Sequence, residues 1–186
     1  MSLADRPSTE RPTLIIRPVR SDEYDETGRV TAEAYVASYG DLHDSYLASL
    51  RDVEGRLRQG EVWVATDDDD TILGSVWVAA EGRPLSQDAQ PGETDFRQLA
   101  VAPSARGLGV GEALTRRVIA IAAERGSHRV VMNSGPQMTG AHALYAKIGF
   151  RRLTERERPI EVEPGRWVDL LAFGLDLGRA PDGSSN

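Results

Sequence analysis

The chain has no cysteine among its 186 residues. That excludes disulfides, thiolate nucleophiles and zinc–thiolate centres, and it fits a cytoplasmic protein. Histidine is scarce. His43, His128 and His142 are scattered without ligand spacing, so no metal site is expected. Positive charge is in deficit, with 22 Lys and Arg against 29 Asp and Glu and a net charge of −7. A general nucleic-acid binder needs surplus cations to displace phosphate counterions, so no nucleic-acid partner is expected. The acidic balance leans toward a cationic acceptor such as an amine. No apolar run approaches membrane-spanning length, so no membrane partner is expected. The first residues, with Asp5, Arg6, Pro7 and Pro12, lack the apolar centre of a signal peptide.

What is present suits one globular domain. Apolar residues make up 40% and charged residues 27%, ordinary values for a chain with a core of its own. Residues 1–12 read as a disordered polar arm, 13–177 as the single domain, and 178–186 (GRAPDGSSN) as a disordered tail.

The β-rich run 13–19 predicts a strand that Pro18 confines to an edge or an end. Ser21 reads as an N-cap, and Tyr24, Val30, Ala34 and Tyr35 carry a helix to about Ser38. Tyr46, Leu47, Leu50, Val53 and Leu57 predict a second amphipathic helix, stopped by Gly60. Strands follow over 61–66 and 71–79 as an antiparallel hairpin. The Asp67–Asp70 turn between them lacks the spaced ligands and distant Glu of a calcium loop, so it reads as a solvated turn. Residues 81–93 form a long loop with two prolines and two glycines.

The centre of the chain is 94–133. A strand over 94–101 runs through Pro103 into Arg106-Gly107-Leu108-Gly109-Val110-Gly111, and then into an apolar helical stripe of Val110, Leu114, Val118, Ile121 and Ala122. Gly126 ends that helix, and 129–133 is a short buried strand. This is a βαβ unit with parallel strands and a glycine loop at the carboxyl end of the first, where α/β sheets bind ligands. The glycines let backbone N–H groups converge on an anion, the helix adds its positive end, and Arg106 supplies a charged donor. A phosphate-bearing ligand is therefore expected here. The dinucleotide fingerprint would need glycine at 112, where Glu112 stands, and a Walker A loop would need Gly-Lys-Ser/Thr, where Gly111-Glu112-Ala113 stands. Thr139 reads as the cap of a helix carrying Ala141, Leu144, Tyr145 and Ile148. Residues 159–165 read as a connection, and 167–175 as the last strand.

The stretch Arg106 to Gly111 resembles the R/Q-x-x-G-x-G/A pyrophosphate loop of the GCN5-related N-acetyltransferase (GNAT) superfamily. Two further pieces match in order and spacing: Leu99-Ala100-Val101-Ala102-Pro103 before the loop, and Ala141-His142-Ala143-Leu144-Tyr145-Ala146-Lys147-Ile148-Gly149-Phe150 after it. The resemblance implies an α/β fold. Its sheet is mixed and mostly antiparallel, of about seven strands, with helices on both faces and a central splayed parallel strand pair. It implies acetyl-CoA as cosubstrate, no metal, and a primary amine of a small molecule or peptide as acceptor, attacked directly in a ternary complex. It assigns the pyrophosphate to Arg106, Gly107, Leu108, Gly109, Val110 and Gly111, and the pantetheine arm to Leu99, Ala100 and Val101.

Catalytic roles follow from the same resemblance. The N–H of Val101 is the expected oxyanion donor, and Tyr145 matches the tyrosine beside the CoA sulfur, a candidate acid for the leaving thiolate. Asp95 lies where a carboxylate often faces the acceptor. It reads equally as a general base or as half of a surface pair with Arg97, and strand alternation puts Asp95, Arg97 and Leu99 on one face. Asn133, at the end of the second parallel strand, is a candidate contact to pantetheine or the acceptor, and reads equally as a cap of the strand end. At the family's usual asparagine position stands Met138. Tyr35, Tyr39 and His43 fall at the helix junction that forms part of the acceptor wall in the family. An inactive CoA-binding sensor on the same fold is the alternative, and exposed sheet edges leave a homodimer open.

Overall fold

The computed structural model describes residues 13–163 and 165–178. The arm 1–12 and all of the tail except Gly178 lie outside the described residues. The strands are β1 (Ile15–Pro18), β2 (Gly60–Thr66), β3 (Ile72–Ala79), β4 (Glu93–Val101), β5 (Arg129–Ser134), β6 (Arg151–Arg152), β7 (Arg158–Glu163) and β8 (Arg166–Asp176). They form one sheet in the order β1-β2-β3-β4-β5-β8-β6, with β7 paired to β8. Among the described residues only β4 and β5 run parallel. The helices are α1 (Tyr24–Tyr39), α2 (Asp44–Arg51), α3 (Val53–Leu57), α4 (Val110–Glu124) and α5 (Thr139–Ile148).

The two sheet faces bury different sets. Phe96, Leu114, Val118 and Val130 are fully buried together beneath α4 and α5. On the other face Ala100 packs with Ala34, Tyr35 and Leu50, while Val62 and Trp77 pack with Val53 of α3. Burying each such large apolar side chain is worth about 1.5–3 kcal/mol.

Several local expectations are corrected. Residues 21–23 form a 3-10 turn, and Glu23 rather than Ser21 does the capping. Glu23 accepts from the Arg20 N–H at 2.8 Å and is clamped by Arg17 at 2.6 and 2.8 Å. The second helix breaks at Asp52, whose Oδ1 accepts from the Gly55 N–H at 2.8 Å and so starts α3. Met138, not Thr139, holds the N-cap position of α5, and no side chain caps that helix. Residues 158–163, expected as a connection, are strand β7. It pairs with β8 alone, so Pro159 sits on an edge where its missing N–H costs no ladder bond. The aspartate turn uses its own carboxylates. Asp67 Oδ1 accepts from the N–H groups of Asp69 and Thr71, and Asp70 is paired with Arg17 and Arg20.

One irregularity shapes the site. Ser75 pairs with Ala100 and Trp77 with Arg97, so β4 holds one more residue than β3 across this interval. Gln98 takes up the extra length at φ 51°, a left-handed conformation that side chains rarely adopt. The bulge reverses the alternation. Asp95 and Arg97 stay on the face toward α1–α3, while Leu99 turns to pack on the α4 and α5 core, so the three do not share a face.

Candidate active site

The parallel ladder between β4 and β5 is short. It runs through Glu93–Arg129, Thr94–Val130 and Asp95–Val131, then stops, although β4 continues to Val101 and β5 to Ser134. Past Asp95 the strands splay, leaving the edge of β4 on that side unpaired. Backbone N–H and C=O groups at such an edge need partners, and an extended ligand can supply them.

The opening leads into a cavity of about 700 Å³. Leu99, Ala100 and Val101 of the bulged strand form one wall. Arg106, Gly107, Gly109, Val110 and Gly111 form the next. Tyr35, Ser38 and Tyr39 of α1 close one side, and Ala141, Leu144 and Lys147 of α5 the other. Gly107 and Gly109 sit at φ 79° and 86°, and a Cβ at either would meet nothing within 4 Å. They are required by backbone conformation, not by crowding. Gly109 occupies the N-cap position of α4, and no side chain caps the helix. The first-turn N–H groups therefore stand ready for an anion at the positive end of the helix. Gly111 has a different reason: a Cβ there would lie 3.1 Å from Leu144 Cδ2 and 3.4 Å from Val101 Cγ2.

Charged groups flank the loop. Arg106 Nη2 donates to Ser38 Oγ at 2.9 Å, tying the loop to α1. Lys147 pairs with Glu112 at 2.7 Å, and Arg116 joins the same carboxylate at 2.8 Å. These neighbours hold the Glu112 carboxyl below its usual value, Lys147 being the larger cause. Lys147 and Glu112 were missed in the sequence. The available signal was that Lys147 stands three residues after Leu144, on one helix face.

Four candidates lie outside the cavity wall. Leu108 packs against the main core. Tyr145 is 2% exposed, with ring centroids 5.6 Å from Phe150, 5.8 Å from Phe173 and 6.2 Å from Phe96. Burial pushes its phenol well above the ordinary range, with Tyr39 adding to the effect, so it keeps its proton at any working pH. Asn133 Oδ1 accepts from Ser86 Oγ at 3.1 Å in a small hollow under the 81–93 loop. Asp95 is 1% exposed and committed to that loop: it accepts from the Leu85 N–H at 3.0 Å and the Ser86 N–H at 2.7 Å. Burial raises its pKa, against the lowering effect of those amides.

The model of the acetyltransferase (GNAT) family matches residues 24–150. Mycothiol acetyltransferase of Cellulomonas flavigena is 30% identical over 142 residues, covering 72% of this chain and 39% of that protein. N-acetyltransferase 8 of Mus musculus is 31% identical over 139 residues, covering 74% of this chain and 51% of that protein. The chain thus spans about two-fifths to one-half the length of these relatives. Among solved structures, a GNAT-family acetyltransferase from Staphylococcus aureus superposes with TM-score 0.68 at 16% identity, over 88% of this chain and 99% of that one. The structure of yncA from Salmonella typhimurium with its cofactor acetyl-CoA does so with TM-score 0.61 at 22% identity, over 92% and 99%. The splayed β4–β5 pair, the uncapped glycine loop and a family match over more than half its length agree: this chain belongs to the acetyltransferase (GNAT) family.

Proposed function

We propose that the domain moves an acetyl group from acetyl-CoA to a primary amine by direct attack in a ternary complex. The observation that carries this reading is the continuity of the cavity. It runs from an uncapped helix N-terminus to the point where β4 leaves β5. A pyrophosphate would meet the N–H groups of Gly107 to Gly111, with Arg106 and Lys147 beside it. The pantetheine arm would pair with the free edge of Leu99 to Val101, delivering the thioester to the splay.

The chemistry then rests on few groups. The N–H of Val101 is the proposed donor to the tetrahedral oxyanion, a term worth about 3–4 kcal/mol where such donors are removed. Tyr145, held protonated by burial, is the proposed acid for the CoA thiolate. Asp95 is assigned to the loop and not to the base role, because both of its oxygens already accept backbone N–H groups. The amine then attacks as its neutral fraction, so the rate should rise with pH toward the pKa of the acceptor itself. Asn133 serves the Ser86 contact and leaves the donor to the cavity wall.

The test is twofold: the melting temperature with and without acetyl-CoA, then CoA release over an amine panel. A thermal shift followed by turnover supports the reading. A shift with no turnover on any amine favours a CoA-binding sensor, and no shift with any acyl-CoA removes both.

A further inference from the structure

Between the sheet and α1, α2 and α3 lie two guanidinium groups that form no direct ion pair with a carboxylate among the described residues. Arg56 of α3 is 3% exposed. Its Nη2 donates to the Leu50 carbonyl at 3.0 Å, whereas Nε and Nη1 have no hydrogen-bond partner among the described residues. Burial pushes its pKa down to about 10, with Tyr35 and Asp52 working in the other direction. Asp52 is occupied in capping α3. A buried cation with idle donors is costly unless something meets its charge.

Arg97 of β4 is half-buried on the same face. It stands opposite Trp77, whose indole N–H donates to the Arg56 carbonyl at 3.0 Å. Among the described residues the Arg97 side chain makes no hydrogen bond or ion pair. The carboxylate whose charge reaches it, Asp95, is already engaged by two loop amides. Two tyrosines link the cations. Tyr35 and Tyr46 meet edge to face at 6.0 Å, with the field of Arg56 reaching Tyr35 and that of Arg97 reaching Tyr46. Tyr35 also lines the donor cavity, so this group adjoins the end where an acetyl group would arrive. In a chain of net charge −7, where acids outnumber bases, two guanidiniums without an ion-pair partner at one place need a reason.

We propose that the acceptor is an amine that also carries a carboxylate, and that Arg97 binds this carboxylate while Arg56 adds positive charge from behind Tyr35 and Tyr46. The inference rests on the acetyl-transfer reading above. A planar guanidinium fork matches a carboxylate in two parallel hydrogen bonds, and a half-dry setting strengthens them. Such an anchor would fix the amine relative to the thioester, which is the positioning a direct attack needs. Arg56 is too buried to touch the acceptor and acts as a positioning residue.

The test uses the full chain with glycine, β-alanine, leucine and lysine, each against its own amide. Two quantities are read: kcat/KM with acetyl-CoA, and calorimetric binding of the N-acetylated acids and amides to the protein–CoA complex. Acids should exceed their amides by about tenfold or more in binding, and in kcat/KM once each rate is divided by the neutral fraction of its own amine, the scale of one charge-assisted contact. Arg97→Gln should erase that ratio through the acceptor KM while leaving the melting temperature and the acetyl-CoA KM unchanged, and Arg97→Lys should keep part of it. Arg56→Met should narrow the same ratio without moving the acetyl-CoA KM. Equal treatment of acids and amides, binding of neither, or an acid preference that survives Arg97→Gln overturns the proposal. Failure of acetyl-CoA to raise the melting temperature overturns instead the donor reading beneath it.

Discussion

Replacing Asp95 with alanine separates a structural carboxylate from a catalytic one. The side chain is 1% exposed and accepts from the N–H groups of Leu85 and Ser86 at 3.0 and 2.7 Å. Removing it orphans two amides, at about 1–3 kcal/mol each. Part of this returns, because the substitution also removes a carboxylate whose ionised form burial disfavours. The net loss should be about 2–4 kcal/mol. For a domain of this size each kcal/mol moves the melting temperature by about 2–4 °C, so a fall of roughly 5–15 °C is expected. Loosening of the 81–93 loop should raise the acceptor KM, while kcat measured well below the transition stays within about threefold of wild type. A general base would behave oppositely, since its removal costs about 10²–10⁴ in kcat. Asp95→Asn adds a control that keeps the volume and one acceptor oxygen. The assignment to the loop is refuted if either variant melts within about 2 °C of wild type and loses a hundredfold in kcat.

Three further outcomes follow from the geometry. Gly109→Ala should lose about 1–2 kcal/mol from left-handed strain alone, since its Cβ meets nothing, and should raise the acetyl-CoA KM severalfold as the loop amides shift. An unchanged donor KM would separate Gly109 from anion binding. Tyr145→Phe should lower kcat about tenfold or more at constant CoA affinity, and wild-type turnover in that variant would remove the acid role. Glu93 is pushed up by burial but more than offset by Arg156 at 2.8 and 3.0 Å and by further partners, so its native pKa lies below the ordinary value. Its contribution is therefore present above the unfolded pKa of about 4.3 and lost as pH falls through the native value. Melting curves of wild type should steepen with acid in that window, and Glu93→Gln should flatten them there.

The parts of the fold that were legible are those coded by a few adjacent residues. Gly107 and Gly109, two glycines in a turn before a helix, mark its positive-φ positions, and the stripe from Val110 to Ala122 marks a helix face. Strand β7 was obscured although its pattern is present: Ile160 and Val162 alternate with Glu161 and Glu163, but Pro159 and Gly165 mask the signal. Pro159 is harmless there only because β7 has one neighbour, a fact of topology. That Tyr145 is only 2% exposed was likewise invisible, because a helical tyrosine reads the same whether its ring is open to a cavity or packed among other rings.

The sequence by itself determined the family and the glycine-rich turn into α4, since both depend on backbone conformations and short spacings that residue identity dictates. Tertiary structure alone decided which side chains share a face of β4. The bulge at Gln98 exists only because β3 and β4 pair in one register, and that register turns Leu99 away from Arg97. Nothing local in the sequence marks Arg56 as buried, yet packing of α3 leaves it 3% exposed. Which charges lack an ion-pair partner depends on what the fold brings near, and no local pattern carries that information.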